Sequence, residues 1–265
     1  MARTIILKLG GSIITNKRGG KPAVKTAHVH AIARVLADFR RKNPGASIIL
    51  LHGGGSFGHP LAHRYRIAGK RLGRRNWRGI AATTNAMREL TTRLADIFLR
   101  ANMPVMPLQT FAMVTLARGR VTFRNSGLIK TVLATGGIPL LGGDVAIADG
   151  TRSAIVSADT LAAAFARAIP GAPVLFATDV PGVFSHFPTT RDARPIPLLN
   201  RTTLRTIMRN ATVAASRRDV TGGMAGKLLA VERLRGRRVM IFDGRNIPVF
   251  ARALSGRRVG TTIQC

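Results

Sequence analysis

Acidic residues are scarce in this chain: 11 Asp and Glu stand against 42 Lys and Arg in 265 residues, a formal net charge of +31. Cysteine occurs once, at Cys265, which excludes an internal disulfide and a cysteine-based metal cluster. Tryptophan and tyrosine also occur once each, and the aromatic residues are not interleaved with the basic ones as base-stacking platforms require. The charge is dispersed and follows no DNA- or RNA-binding module, so no specific nucleic-acid partner is expected, only nonspecific adhesion to polyanions at low salt. The densest run, Arg64 to Arg78, gathers Arg64, Arg66, Lys70, Arg71, Arg74, Arg75 and Arg78 around Trp77 and reads as a solvated basic face. Long hydrophobic runs are absent. The opening burst Ile5-Ile6-Leu7 is interrupted by a lysine and two glycines, too short for a signal-peptide core or a membrane span. A cytoplasmic location without a membrane partner is the expectation.

Nearly half the residues are apolar, at 46%, enough to bury a sizeable core in one domain or in two closely joined lobes. Apolar runs of strand length alternate with longer segments of helical period, the pattern of a mainly parallel sheet covered by helices. The strands read from it are Thr4–Leu9, Ser47–Leu51, Pro104–Leu108, Ile138–Leu141, Val174–Ala177 and Val239–Phe242. Helices are expected over Val24–Arg41, Ile80–Arg100 and Ser157–Ala168, the last with Ser157 as its N-cap. Two stretches, Ala112–Phe123 and Val145–Ile155, read as hairpins leaving the main sheet. Phe184–Arg205, rich in Pro, Thr and Arg, reads as surface chain until a helix resumes near Leu204.

Four glycine-bearing motifs stand at strand exits. Lys8-Leu9-Gly10-Gly11-Ser12, with Lys17 beyond it, has the outline of a phosphate cradle, because glycines let backbone N–H groups approach an anion and the lysines supply charge. His52-Gly53-Gly54-Gly55-Ser56-Phe57-Gly58-His59 follows a buried strand, where three successive glycines are costly unless something must come close to the backbone. Gly53, Gly55 and Gly58 also satisfy the dinucleotide fingerprint, which keeps an NADP-dependent oxidoreductase open although no acid lies between Asp38 and Glu89. Asp219 to Lys227 is a glycine-rich run into a helix starting near Met224, with Lys227 placed for an anion but without the Walker A spacing. The fourth set is Gly142-Gly143-Asp144, Ser157-Ala158-Asp159 and Thr178-Asp179-Val180-Pro181-Gly182. Many glycines, a few cations and a few acids form the inventory that phosphoryl transfer requires.

The order of these motifs from Lys8 to Lys227 resembles the amino acid kinase superfamily, which includes acetylglutamate, glutamate 5- and UMP kinases. Lys8-Leu-Gly-Gly-Ser, Thr15-Asn16-Lys17 and His59-Pro60 after Gly-Gly-Gly-Ser-Phe-Gly look most like its isopentenyl phosphate kinases, with fosfomycin kinases the nearest alternative. The resemblance implies a three-layer αβα sandwich in which about residues 1–165 serve the acceptor and about 166–265 the nucleotide. It implies ATP and Mg²⁺ as cofactors, a phosphate monoester as acceptor, no metal ligands of the chain's own, and a homodimer. It implies that Lys8, Gly10, Gly11 and Ser12 touch ATP phosphates and that Lys17 stabilises the moving phosphoryl group. Gly55, Asp179, Gly182, Gly223 and Lys227 fall on the nucleotide side; Gly54, His59, Asp144 and Ala158 fall on the acceptor side, with His59 holding the acceptor phosphate. Members usually carry Ser-Gly-Asp at Ser157-Ala158-Asp159 and often Asp-Val-Asp-Gly at Asp179-Val-Pro181-Gly. The extra methyl of Ala158 is therefore expected against the acceptor phosphate. The acceptor tail is expected along the helix from Ile80, facing Ala81, Thr84 and Met87.

Overall fold

A computed structural model describes residues 4–16, 20–185, 194–215, 223–234 and 236–264. The strands in chain order are β1 (Thr4–Leu9), β2 (Thr15–Asn16), β3 (Ala23–Val24), β4 (Ser47–His52), β5 (Val105–Pro107), β6 (Val114–Ala117) and β7 (Arg120–Phe123). They continue as β8 (Ile138–Gly142), β9 (Asp144–Ala148), β10 (Arg152–Val156), β11 (Val174–Thr178), β12 (Leu198–Leu199), β13 (Arg238–Asp243) and β14 (Thr261–Gln264). The helices are α1 (Gly11–Ile14), α2 (Thr26–Lys42), α3 (Gly55–Arg64), α4 (Arg74–Arg100), α5 (Thr110–Met113), α6 (Ser126–Ala134), α7 (Ala158–Ala168), α8 (Arg201–Ala215), α9 (Gly223–Glu232) and α10 (Ile247–Leu254).

Side chains along the central strands alternate between two hydrophobic cores, and this alternation builds the layers. In β1, Ile5, Leu7 and Leu9 join the core beneath α2, α4 and α10, whereas Ile6 joins the core beneath α7, α8 and α9. β4 and β11 repeat the division: Ile49, Leu51, Val174 and Phe176 go one way, and Ile48, Leu50, Leu175 and Ala177 the other. The sheet runs β12-β14-β13-β11-β1-β4-β8-β5, and only β13 with β14 pairs antiparallel in it. The result is the expected αβα sandwich. A second sheet, β10-β9-β6-β7, carries the two hairpins.

All six expected strands are present, with ends shifted by at most a residue or so. Ser157 caps α7 by accepting from the Thr160 backbone N–H at 3.0 Å. Three readings need correction. Helix α4 begins at Arg74, so part of the basic run is helical. The segment from Ala112 opens with the short helix α5 before its hairpin. The glycine-rich run after β4 becomes the helix α3, with Pro60 inside it. Residues 186–193 of the expected surface stretch lie outside the described residues.

Candidate active site

Strand parity aims the first functional side chain. Lys8 shares the face of Ile6, so it points toward α7 and α9. There its Nζ stands 2.8 Å from Asp159 Oδ1, and Lys227 Nζ of α9 stands 3.1 Å from the same oxygen. Lys227 also lies over the Phe176 ring, 5.1 Å from its centre. The three side chains are almost buried, at 9% exposure for Lys8, 14% for Asp159 and 7% for Lys227. Burial alone would raise the Asp159 carboxyl, but Lys227 and then Lys8 overcome it and hold it at about 2. Lys227 is lowered, first by burial and then by the charge of Lys8, against the pull of Asp159. Two cations on one anion leave an excess positive charge in a poorly solvated place, which a phosphoryl group would satisfy.

The glycine motifs meet backbone to backbone in front of this triad. A Cβ on Gly11 would come within 2.6 Å of Gly55 Cα, and Gly55 itself has φ of +47°, so neither position accepts a side chain. Thr15 ties the two loops together: its hydroxyl donates to the Gly11 carbonyl at 2.7 Å and accepts from the Ser56 N–H at 3.1 Å. The N-terminus of α3, with no side-chain cap, opens beside them. A helix start of this kind attracts anions.

A cavity of about 2400 Å³ joins these parts. Its wall includes Lys8, Gly10, Gly11, Ser12, Gly54, Gly55, His59, Asp144, Ala158, Asp159, Asp179 and Lys227, so the fold brings most of the sequence-derived residues together. Gly182 is not on the wall; a side chain there would strike Thr261, and packing accounts for this glycine. Gly223 opens α9, while Lys17 lies outside the described residues. Ala158 lines the cavity but is 2% exposed and belongs to the core under α7. Its side chain therefore both packs in that core and contributes to the cavity wall. On α4 Met87 lines the cavity as expected, with Thr83 and Ala86 beside it, whereas Ala81 is not on the wall and Thr84 turns to donate to Asp144 at 3.1 Å.

Asp159 stands in the fourth motif, but its residue type and position give it no role, since an aspartate in a first helical turn is ordinary. The scarcity of acids in the chain is the signal that marks it, and only the fold shows that it pairs with both lysines. His52 was likewise unassigned. It ends β4 on the α4 side, fully buried, with Nε2 2.9 Å from Thr91 Oγ1. Its Nδ1 stands 3.3 Å from the Gly53 carbonyl, and the Thr91 hydroxyl also reaches the Met87 carbonyl at 2.8 Å. Burial lowers His52 to about 4, Lys8 adding to the effect and the Gly53 carbonyl opposing it; it is neutral at pH 7.

Burial raises Asp144 to about 6 against hydrogen bonds from the Val145 N–H and the Thr84 hydroxyl. The sign follows: the folded carboxyl keeps its proton to higher pH than the unfolded one, so stability present in acid is lost as pH rises from about 4 through about 6. Both bonds end on Oδ1, which asparagine also offers. Asp144→Asn is therefore expected to be level with wild type near pH 4 and more stable at pH 7, by up to about 3 kcal/mol. Urea unfolding at the two pH values measures the gap; a gap that does not widen with pH contradicts the assignment.

Residues 3–243 match the family described as "Amino acid kinase family". Similar curated proteins include the isopentenyl phosphate kinase of Methanothermobacter thermautotrophicus, 33% identical over 84% of this chain and 84% of the relative. Another is the isopentenyl phosphate kinase of Methanocaldococcus jannaschii, 29% identical over 97% of each. A solved structure described as "X-ray structures of isopentenyl phosphate kinase" superposes with a TM-score of 0.79 at 28% identity, covering 98% of this chain and 100% of that one. The dinucleotide reading of Gly53, Gly55 and Gly58 yields to these matches. By the family match, and by a triad and paired glycine loops that face one cavity, this chain belongs to the amino acid kinase family, among its isopentenyl phosphate kinases.

Proposed function

We propose that the protein transfers the γ-phosphoryl group of ATP to isopentenyl phosphate, giving isopentenyl diphosphate and ADP for the supply of isoprenoid precursors. The observation that carries this reading is the pair Lys8 and Lys227, held by Asp159, in the cavity that His59 also lines. An oxygen of the acceptor phosphate forms the new bond to the γ-phosphorus, the bond from that phosphorus to the β–γ bridging oxygen breaks, and ADP leaves. The acceptor monoester is already anionic near neutral pH, so no strong general base is required. The work is electrostatic: two polyanions are held together while charge spreads over the transferred group.

In this reading Lys8 and Lys227 neutralise the phosphoryl oxygens, and Gly11, Ser12 and Gly55 present backbone N–H groups to the ATP phosphates, while the Gly10 N–H, bonded to the Ala177 carbonyl at 2.9 Å, anchors the turn that holds them. Asp179 and Gly223 lie toward the nucleoside, Lys17 adds charge at the moving group, and His59 at the start of α3 donates to the acceptor phosphate beside Gly54. The N-terminal lobe serves the acceptor and the C-terminal lobe the nucleotide. Among the described residues no cluster of three His, Cys, Asp or Glu is placed to cage a cation, and Asp159 faces lysines, a donor set that suits Mg²⁺ carried on the ATP phosphates. Bound there, Mg²⁺ offsets phosphate charge. No helix among the described residues is long and apolar enough to cross a membrane; a cytoplasmic homodimer belongs to the same proposal.

ADP release measured over isopentenyl phosphate, dimethylallyl phosphate, fosfomycin, UMP and acetylglutamate tests it. Isopentenyl phosphate is expected to give the highest kcat/KM. Turnover confined to one of the other acceptors overturns the assignment of substrate.

A further inference from the structure

The cavity is longer than the reacting groups need. From Asp159 it continues along α7 past Ala163, between the β6–β7 hairpin and α9, and its far wall carries Arg120, Arg167 and Arg233. These come from three separate elements: the first residue of β7, the last turn of α7 and the position after α9. The stack of Phe123 on Phe165, with ring centres 4.5 Å apart, holds the hairpin on α7, and α7 packs along α9. The convergence is thus set by the fold and not by neighbouring positions on one flexible segment. Among the described residues none of the three arginines meets a carboxylate. Glu232, next to Arg233, faces Arg205 at 3.4 Å instead. The Arg167 guanidinium is held below its ordinary value, by partial burial first and then by the charges of Arg233 and Arg120. Arg167 and Arg233 stand at helix C-terminal ends, whose partial negative charges offset only part of three full positive ones.

Arg167 lies eight residues beyond Asp159 on α7, about 12 Å along the axis. One phosphate cannot meet both the lysine triad and this cluster. We infer that Arg120, Arg167 and Arg233 form a second anion site, for a di- or triphosphate group, at the far end of the catalytic cavity. Bidentate guanidinium contacts suit phosphate oxygens, and the small side chains of Ala163 and Ala230 leave room between the elements. The site stands apart from the chemistry, so it holds whichever acceptor the enzyme takes.

Calorimetric titration of inorganic tripolyphosphate into protein saturated with the non-hydrolysable analogue β,γ-imido-ATP tests the inference. Wild type is expected to bind one further equivalent, weakened by salt. Arg167→Ala with Arg233→Ala is expected to weaken it about tenfold or more, with the KM for ATP unchanged. Arg71→Ala with Arg75→Ala removes the same charge from the basic run and is expected to leave binding as it was. Arg120→Gln, a milder change at an exposed position, serves if the double variant does not fold. Absence of the second equivalent in wild type, or equal weakening by the charge-matched control, overturns the site. A shift in the KM for ATP of the double variant would overturn its independence from the nucleotide.

Discussion

Asp159→Asn is expected to cost the enzyme about a hundredfold to a thousandfold in kcat/KM, the range for loss of a preorganised electrostatic element. Lys8 and Lys227 both reach Asp159 Oδ1; without that charge two nearly buried ammonium groups repel each other and leave the positions in which they meet a phosphoryl group. Stability is expected to fall as well, by about 3 kcal/mol or more, because breaking a buried pair strands the remaining charge. The Asp159 carboxyl is held below its ordinary range, so its contribution is complete above about pH 4 and fades as pH falls through its folded value. The gap between wild type and variant in denaturant unfolding should accordingly narrow in acid. Adding Lys227→Met to Asp159→Asn is expected to recover much of the stability and none of the activity. Wild-type kinetics in Asp159→Asn would mean that the triad is not the reacting centre.

His59→Ala is expected to lower kcat/KM for a phosphate acceptor by about a hundredfold, the range for removing a hydrogen bond to a charged group, while His63→Ala stays close to wild type. The comparison is demanding, since both histidines line the cavity and stand one turn apart on α3. What separates them is depth: His59 lies in the turn nearest the glycine junction, and His63 lies a turn farther out. His59→Gln keeps a donor and is expected to recover part of the loss. Steady-state kinetics with the acceptor varied at saturating ATP decides the matter, and equal losses at the two positions would remove His59 from its role.

The strands were legible because each is a run of buried apolar residues bounded by polar or glycine positions, a local pattern that needs no partner to be read. The helix α3 was not legible. Gly55, Gly58 and Pro60 speak against a helix, but a Cβ at Gly58 would come within 2.5 Å of Met87 Sδ, so this glycine is what lets α3 lie against α4. Gly182 is a second case: a glycine in a functional-looking motif is required by the close approach of Thr261, which the motif alone does not reveal. Thr84 shows the same limit on a finer scale: expected to face the acceptor tail, it turns to Asp144 instead.

By itself the sequence determined the layered α/β class, the strands and the glycine turns at their ends, since hydrophobic alternation and backbone freedom are local properties of the chain. Only the tertiary structure decided that Asp159 holds Lys8 and Lys227 together, that Thr15 locks the two glycine loops, and that three arginines gather behind α7. Each of these joins residues far apart in the chain. Their positions relative to one another are set by the packing of helices on the sheet, which no local pattern encodes.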